Sequence, residues 1–184
     1  MRLRRLEDEL GDALSIQWKA FPLRPEPDPT ITFKGTYREE GWRRCGAMAE
    51  PDGIRFTPWP REDYPDCSMP ALEAAKCVDR QGPEAFERLH LRLYEAFFDR
   101  GINIARPDEL VPVVRESGAD MTRFLADFES GSARAAVLAD YGEAITRDRV
   151  RAIPTIIVGD RRLTGLTDLY TYRKAIEEAA GANG

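Results

Sequence analysis

Pro154 stands directly before Thr155, Ile156, Ile157 and Val158, and Gly159-Asp160 follows. No other stretch narrows the fold as much. Four β-branched residues in a row favour an extended strand. Gly-Asp at the end of such a run signals a tight hairpin turn, and Arg162 to Gly165 reads as the returning strand. A proline has no N–H to give to a ladder, so in a sheet it opens a strand, lies on an edge or marks a bulge. Two conformations suit that place: a cis X-Pro bond at the mouth of a buried strand, or a trans proline opening an edge strand.

The rest of the chain is punctuated clearly. Leu3, Leu6, Leu10 and Leu14 recur at helical spacing, and Gly11 marks the end of that first helix. In "ALSIQWKAF" Leu14, Ile16, Trp18 and Ala20 alternate with Ser15, Gln17 and Lys19, which reads as a strand. Four prolines in "PLRPEPDP" end it. From Thr36 to about Arg149 the pattern is mostly helical. One helix is expected from Tyr37 to Pro51 or Gly53. Another follows Ser68 as its cap and closes at Gly82. A third opens at Pro83 with Phe86, Leu89, Leu93 and Phe97 on one face. Three more begin at Pro107, after Asp120 and at Ser132. A last helix, capped by Thr167, closes the chain. The expected organisation is an α/β domain from residues 1–35 and 146–184 with a helical insertion, residues 36–145, between its halves.

Composition removes several function classes. Hydrophobic residues make up 42%, enough for a packed core, so the chain is not read as disordered. A net charge of −5 gives no basic footprint for nucleic acid. No apolar run reaches the roughly 18 residues needed to cross a bilayer, and the charged N-terminus lacks a signal-peptide apolar region. The expectation is a soluble, cytoplasmic protein. Cys45, Cys67 and Cys77 show no C-x-x-C spacing, and His90 is the single histidine, so no metal site is expected. Reduced thiols are expected, Cys77 in the core and Cys67 just ahead of a helix. His90, between Phe86 and Leu93 on an apolar face, reads as a packed histidine.

Val150, Ile153, Pro154 and Thr155 form a V-x-x-I-P-T stretch. With "PALEAAKCVDRQGPEAFERLHLRLYEAFFDRG", "NIARPDELVPVVRESGADMTRFLADFESG" and "IQWKAFPLRPEP", it resembles the DsbA-like thioredoxin-fold family with a helical insertion. More narrowly the chain is similar to FrnE-type oxidoreductases and to 2-hydroxychromene-2-carboxylate isomerases. The resemblance covers nearly the whole chain. It implies a thioredoxin-like α/β fold with an all-helical insertion and a cis Pro154. Pro154 is the implied catalytic-site residue, lying against the active-site sulfur and keeping metal away from it. Ile153 would offer its backbone to an extended peptide or to glutathione. Thr155 would add a hydroxyl at the rim, and Trp59 would line the cleft. Ordinary packing is the competing reading for Thr155 and Trp59.

One departure is plain. The family opens with a strand and then C-P-W-C, or a serine variant, at the start of its first helix; residues 1–10 resemble the helix just after that motif. Two readings compete: a core strand and a C-x-x-C lie ahead of Met1, which is the favoured expectation, or the protein lacks both. Without that strand, "LSIQWKAF" and "TIIVG" would each lose a neighbour, leaving the chain marginal, aggregation-prone or completed by a second copy in a homodimer. The implied function is thiol–disulfide oxidoreduction on a substrate protein. The alternatives are a glutathione-dependent isomerase or transferase and a non-catalytic binding module. No resident cofactor is implied; glutathione would be a co-substrate. Arg147, Arg149 and Arg151 read as surface charge or as a pull on an anionic ligand.

Overall fold

The computed structural model describes residues 1–182. The chain divides into two compact units: unit 1, Met1–Lys19 with Gly142–Gly184, and unit 2, Ala20–Tyr141. The described residues are mostly helical and carry one two-stranded antiparallel sheet.

In unit 1, α1 (Arg2–Leu10) ends at Gly11, whose φ of +52° stops the helix. The segment from Leu14 to Lys19 comes next. Its expected alternation is present: Leu14, Ile16 and Trp18 are half-buried, while Ser15, Gln17 and Lys19 are exposed. It is not a strand of a sheet, however, because no backbone ladder joins it to another described segment. Alternation sets the two faces of an extended chain, but a strand also needs a partner for its N–H and C=O groups.

Unit 2 holds most of the helices. α2 (Tyr37–Ala49) is capped by Thr36, whose side chain accepts from Arg38 N–H at 3.2 Å, and leads through a 3₁₀ turn to Gly53. α3 (Met69–Asp79) packs on α4 (Pro83–Tyr94), α5 (Pro107–Glu116) and α6 (Met121–Glu129). Their shared core includes Cys77, Val78, Leu89, Leu110, Val113, Val114 and Phe124, all fully buried. Each large aliphatic or aromatic side chain there contributes about 1.5–3 kcal/mol over its exposed state. Asp120 caps α6 as expected, accepting from Thr122 and Arg123 N–H. Ser68 stands at the start of α3, yet its hydroxyl does not cap the helix; it accepts Arg24 N–H at 3.0 Å and docks the 24–25 segment instead. Gly82 precedes α4 rather than closing α3, which ends at Asp79.

A second, aromatic cluster gathers Phe33, Trp42 and Trp59 with Phe56, Tyr64, Phe97 and Phe98. Both indole N–H groups are satisfied by carbonyls, Trp42 at Thr57 (2.9 Å) and Trp59 at Asp63 (2.7 Å). Phe97 and Phe98 lie in a π-turn, Glu95–Asp99, that extends α4. The adjoining loop is pinned by charge. Arg61 donates to Asp63 and to both Glu109 oxygens, and Asp63 also accepts from Asn103 Nδ2 at 2.9 Å.

α7 (Ser132–Thr146) contains the division between the units. β1 (Thr155–Val158) and β2 (Arg161–Thr164) then form the expected hairpin, with Val158 opposite Arg161 across the Gly159-Asp160 turn. A lone hairpin is marginal in water. Here α8 (Leu169–Ala182) packs on β1 and on α1, burying Tyr172 and Ala175. The cap of α8 is Asp168, not Thr167: Asp168 Oδ1 accepts Thr171 N–H at 2.8 Å, while the Thr167 hydroxyl donates to the Gly165 carbonyl. Either residue type can cap, and here the one nearer the helix does so.

These contacts give two expected outcomes. Gly101 has a φ of +63°, and a Cβ there would lie 2.6 Å from the Pro60 ring. Gly101→Ala is expected to cost more than about 1 kcal/mol, read as a lower urea midpoint. The second concerns pH. Hydrogen bonds from Arg61 hold the Glu109 carboxyl below its ordinary value. Burial pushes Asp63 up, but the bonds from Asn103 and Arg61 outweigh it and leave it low as well. Both groups thus stabilise the fold fully above the ordinary carboxylate range, and this is lost as pH falls through their lower folded values. Glu109→Gln should cost about 1–2 kcal/mol at pH 7, with the gap to wild type narrowing as pH falls below the ordinary carboxylate range. A gap that stays constant with pH would contradict the assignment.

Candidate functional site

The hairpin positions the candidate site in unit 1. The peptide bond between Ile153 and Pro154 is cis. Three hydrogen bonds hold the segment around it. Val150 N–H donates to the Ala144 carbonyl at 2.8 Å, tying the segment to the end of α7. The Thr155 hydroxyl donates to the Ala152 carbonyl at 2.6 Å, closing a short turn over the proline. Gly165 N–H donates to the Pro154 carbonyl at 2.8 Å, carrying the ladder one step beyond the Thr155–Thr164 pair. The Thr155 hydroxyl is therefore committed to the turn that shapes the wall.

Ile153 is what this arrangement presents. The residue is 43% exposed, and neither of its main-chain polar groups has a hydrogen-bond partner among the described residues. An unpartnered N–H and C=O on one residue can pair with one residue of an extended chain. β1 itself is less covered than a buried strand would be: Ile157 is 46% exposed and Ile156 and Val158 are half-buried.

Charge surrounds the wall. Arg147 pairs with Glu143 and Asp148, and its hydrogen bond holds the half-buried Asp148 carboxyl below its usual range. Arg161 pairs with Glu178. Arg149 is the one non-glycine residue with positive φ, at +51°, among the described residues. Nothing in the sequence signals this, because arginine has no special ease in the left-handed region.

Trp59 belongs to unit 2 and is 3% exposed, packed against Trp42, Tyr64, Phe97 and Phe33. With Trp42, Gly46, Phe56, Lys34 and Glu39 it borders an open groove of about 500 Å³ within that unit. Pro154, Ile153 and Thr155 are thus neighbours in one unit, while Trp59 lies in the other.

All three cysteines are free and all lie in unit 2. Cys77 is fully buried in the helical core, and burial pushes its thiol up to about 11. Cys67, just ahead of α3, directs its sulfur at the Arg24 and Pro25 carbonyls (3.6 and 3.8 Å) and accepts Met69 N–H at 3.5 Å. Cys45 is exposed on α2. His90 packs between the rings of Phe86 and Tyr94, at 5.1 and 5.0 Å. Among the described residues no group of three or more His, Cys, Asp or Glu side chains could hold a metal ion, and no helix is long and apolar enough to cross a membrane.

A proline-led hairpin backed by a helix, with a long helical segment between the two parts of its unit, has a counterpart among known families. The sequence profile of the DSBA-like thioredoxin domain matches residues 1–177. The chain belongs to the DSBA-like thioredoxin family. It is 26% identical to the uncharacterised protein YwbO of Bacillus subtilis (strain 168) over 172 residues, spanning 91% of this chain and 84% of that protein. Its fold matches the crystal structure of a Nitrosomonas europaea protein proposed to be a protein disulfide isomerase, with a TM-score of 0.82 and 17% identity, over 100% of this chain and 90% of the other. The thioredoxin-like fold expected from the sequence is thus the fold of this DSBA-like chain.

Two measurements bear on this arrangement. Thiol titration at pH 8 should find Cys45 reacting first and Cys77 only on unfolding; rapid labelling of Cys77 in the native protein would contradict its burial. Glycine adopts φ near +50° without cost, so Arg149→Gly should keep or raise the melting temperature. Arg149→Val, β-branched in the same conformation, should lower it by several degrees.

Proposed function

We propose that this DSBA-like chain serves thiol–disulfide exchange on polypeptide substrates, with the Ile153–Thr155 wall as the surface on which an extended substrate segment docks. The observation that carries the reading is Ile153, exposed and with both main-chain groups open, held beside Pro154 by hydrogen bonds that leave it no other partner. Membership of the family, from residue 1 to residue 177, supports the same chemistry.

The attacking thiolate comes from outside residues 1–184 in this reading. Unit 1, which carries the wall, contains no cysteine. Cys77 is buried with a raised pKa, so little thiolate is present at neutral pH. The expected source is a C-x-x-C pair on a helix N-terminus, where the dipole and free N–H groups favour the thiolate. In exchange, that thiolate attacks one sulfur of the substrate disulfide, a mixed disulfide forms and the other substrate sulfur leaves as thiolate. A second thiol of the pair then attacks the mixed disulfide, releasing reduced substrate and leaving the pair oxidised. The chain's own residues hold the substrate backbone extended while this happens. Glutathione as the thiol source is the alternative; Arg149 and Arg151 favour it to the extent that they attract its carboxylates.

Insulin reduction by dithiothreitol tests the assignment. Residues 1–184 are expected to leave the rate unchanged, and the same protein preceded by its own upstream C-x-x-C segment is expected to raise it severalfold. If the reading frame ahead of Met1 encodes no cysteine pair, or if the longer protein is inactive, the exchange reading falls. Glutathione-dependent turnover by residues 1–184 alone would favour the alternative.

A further inference from the structure

Residues 147–162 hold five arginines against Asp148 and Asp160, in a chain whose net charge is −5. Three of the five are engaged: Arg147 with Glu143 and Asp148, Arg161 with Glu178, and Arg162 with the Asp148 carbonyl. Arg149 and Arg151 are different. Both are exposed, and neither has a hydrogen-bond or ion-pair partner among the described residues. They precede Ile153 by four residues and by two. Asp148, the carboxylate nearest to them in sequence, is already paired with Arg147. Two positive, unpaired residues therefore lie just ahead of Ile153 in the chain of an otherwise acidic protein.

We propose that the Ile153–Thr155 wall selects extended polypeptide segments bearing acidic residues beside the docked position, with Arg149 and Arg151 as the selecting charges. This rests on the docking role proposed above. Main-chain pairing at Ile153 is indifferent to substrate sequence, since every residue but proline offers the same N–H and C=O. Discrimination must come from side chains. Rim charges act chiefly on encounter and on the choice among partners, and their effect weakens as salt shortens the screening length. An exposed ion pair changes affinity by a factor of about 1.4 to 5, so two acting together should favour an acidic segment by a factor of about 2 to 25.

The test uses residues 1–184 and three fluorescein-labelled peptides of equal length. Each carries a central S-methylcysteine, flanked by glutamates in the first, glutamines in the second and lysines in the third. Fluorescence anisotropy at 50 mM salt should rank them glutamate, glutamine, lysine, with at least about twofold between the first two. The ratio should shrink toward one at 500 mM salt. In the double variant Arg149→Gly/Arg151→Gln the glutamate-to-glutamine ratio should fall to about one, with circular dichroism melting to show that the fold is retained. Arg151→Lys should keep most of the preference. Equal affinity for all three peptides, or a preference that survives the double variant, would overturn the proposal while leaving the docking role intact. If none of the peptides binds, the docking role itself fails. Competition by S-methylglutathione at the same concentration as the glutamate peptide would overturn the assignment to a polypeptide, since the tripeptide would then satisfy the same charges.

Discussion

The hydrogen bond from Gly165 N–H to the Pro154 carbonyl is the contact on which the candidate site depends. It uses the acceptor of a residue that has no donor of its own, and it lengthens the β1–β2 ladder to reach the proline. The Val150–Ala144 bond fixes the other end of the segment to α7. Arg149, in the left-handed region, brings the chain into the first anchor, and between the two anchors the Thr155 hydroxyl closes the turn on the Ala152 carbonyl. Ile153 is left facing out as a result. The exposure of one apolar residue, with both its main-chain polar groups unpartnered, is thus a consequence of satisfying everything around it.

Unit 2 is held differently. Its helices share an apolar core that needs no directional contact, whereas its long connection from Phe56 to Cys67 is fixed by polar groups. Arg61 draws Asp63 of that connection and Glu109 of α5 onto one guanidinium, whose planar fork can bind both at once. The aromatic cluster then fills the space beneath. This division of labour explains why the unit contains a stretch of over a dozen residues without regular structure and still buries Trp59.

What the sequence made legible were features decided locally. The hairpin was readable because a β-branched run, a Gly-Asp turn and a proline lie within a dozen residues. α1, α4, α5 and α6 were readable from leucine spacing, from Pro83 and Pro107, and from the Asp120 cap. The misses are relations between distant segments. Leu14 to Lys19 shows the right alternation, but whether it joins a sheet depends on a partner that alternation cannot name. Ser68 is a good capping residue whose hydroxyl is taken by Arg24, 44 residues away in sequence. Thr167 and Asp168 are both capping types, and one position decided between them. Of the candidate site, the motif pointed to Ile153, Pro154 and Thr155 and to a proline-led turn, and the structure has a cis bond there. The left-handed backbone at Arg149 carried no signal, and the run of Arg147, Arg149 and Arg151 did not show which of the three would be paired.

The π-turn after α4 has a bearing on how this chain could change over time. Arg100 N–H reaches back five residues to Glu95, one more than an α-helix would use, so the turn holds a supernumerary residue. Each helical residue advances the azimuth by about 100°. Removing one residue between Glu95 and Asp99 would restore a plain α-helix and rotate the chain beyond it by that angle. Phe98 and Asp99 would then be swung away from Phe56 and Thr57. The aromatic layer of unit 2 is therefore intolerant of length variation at this point, even though the helix that carries it would be more regular without the extra residue.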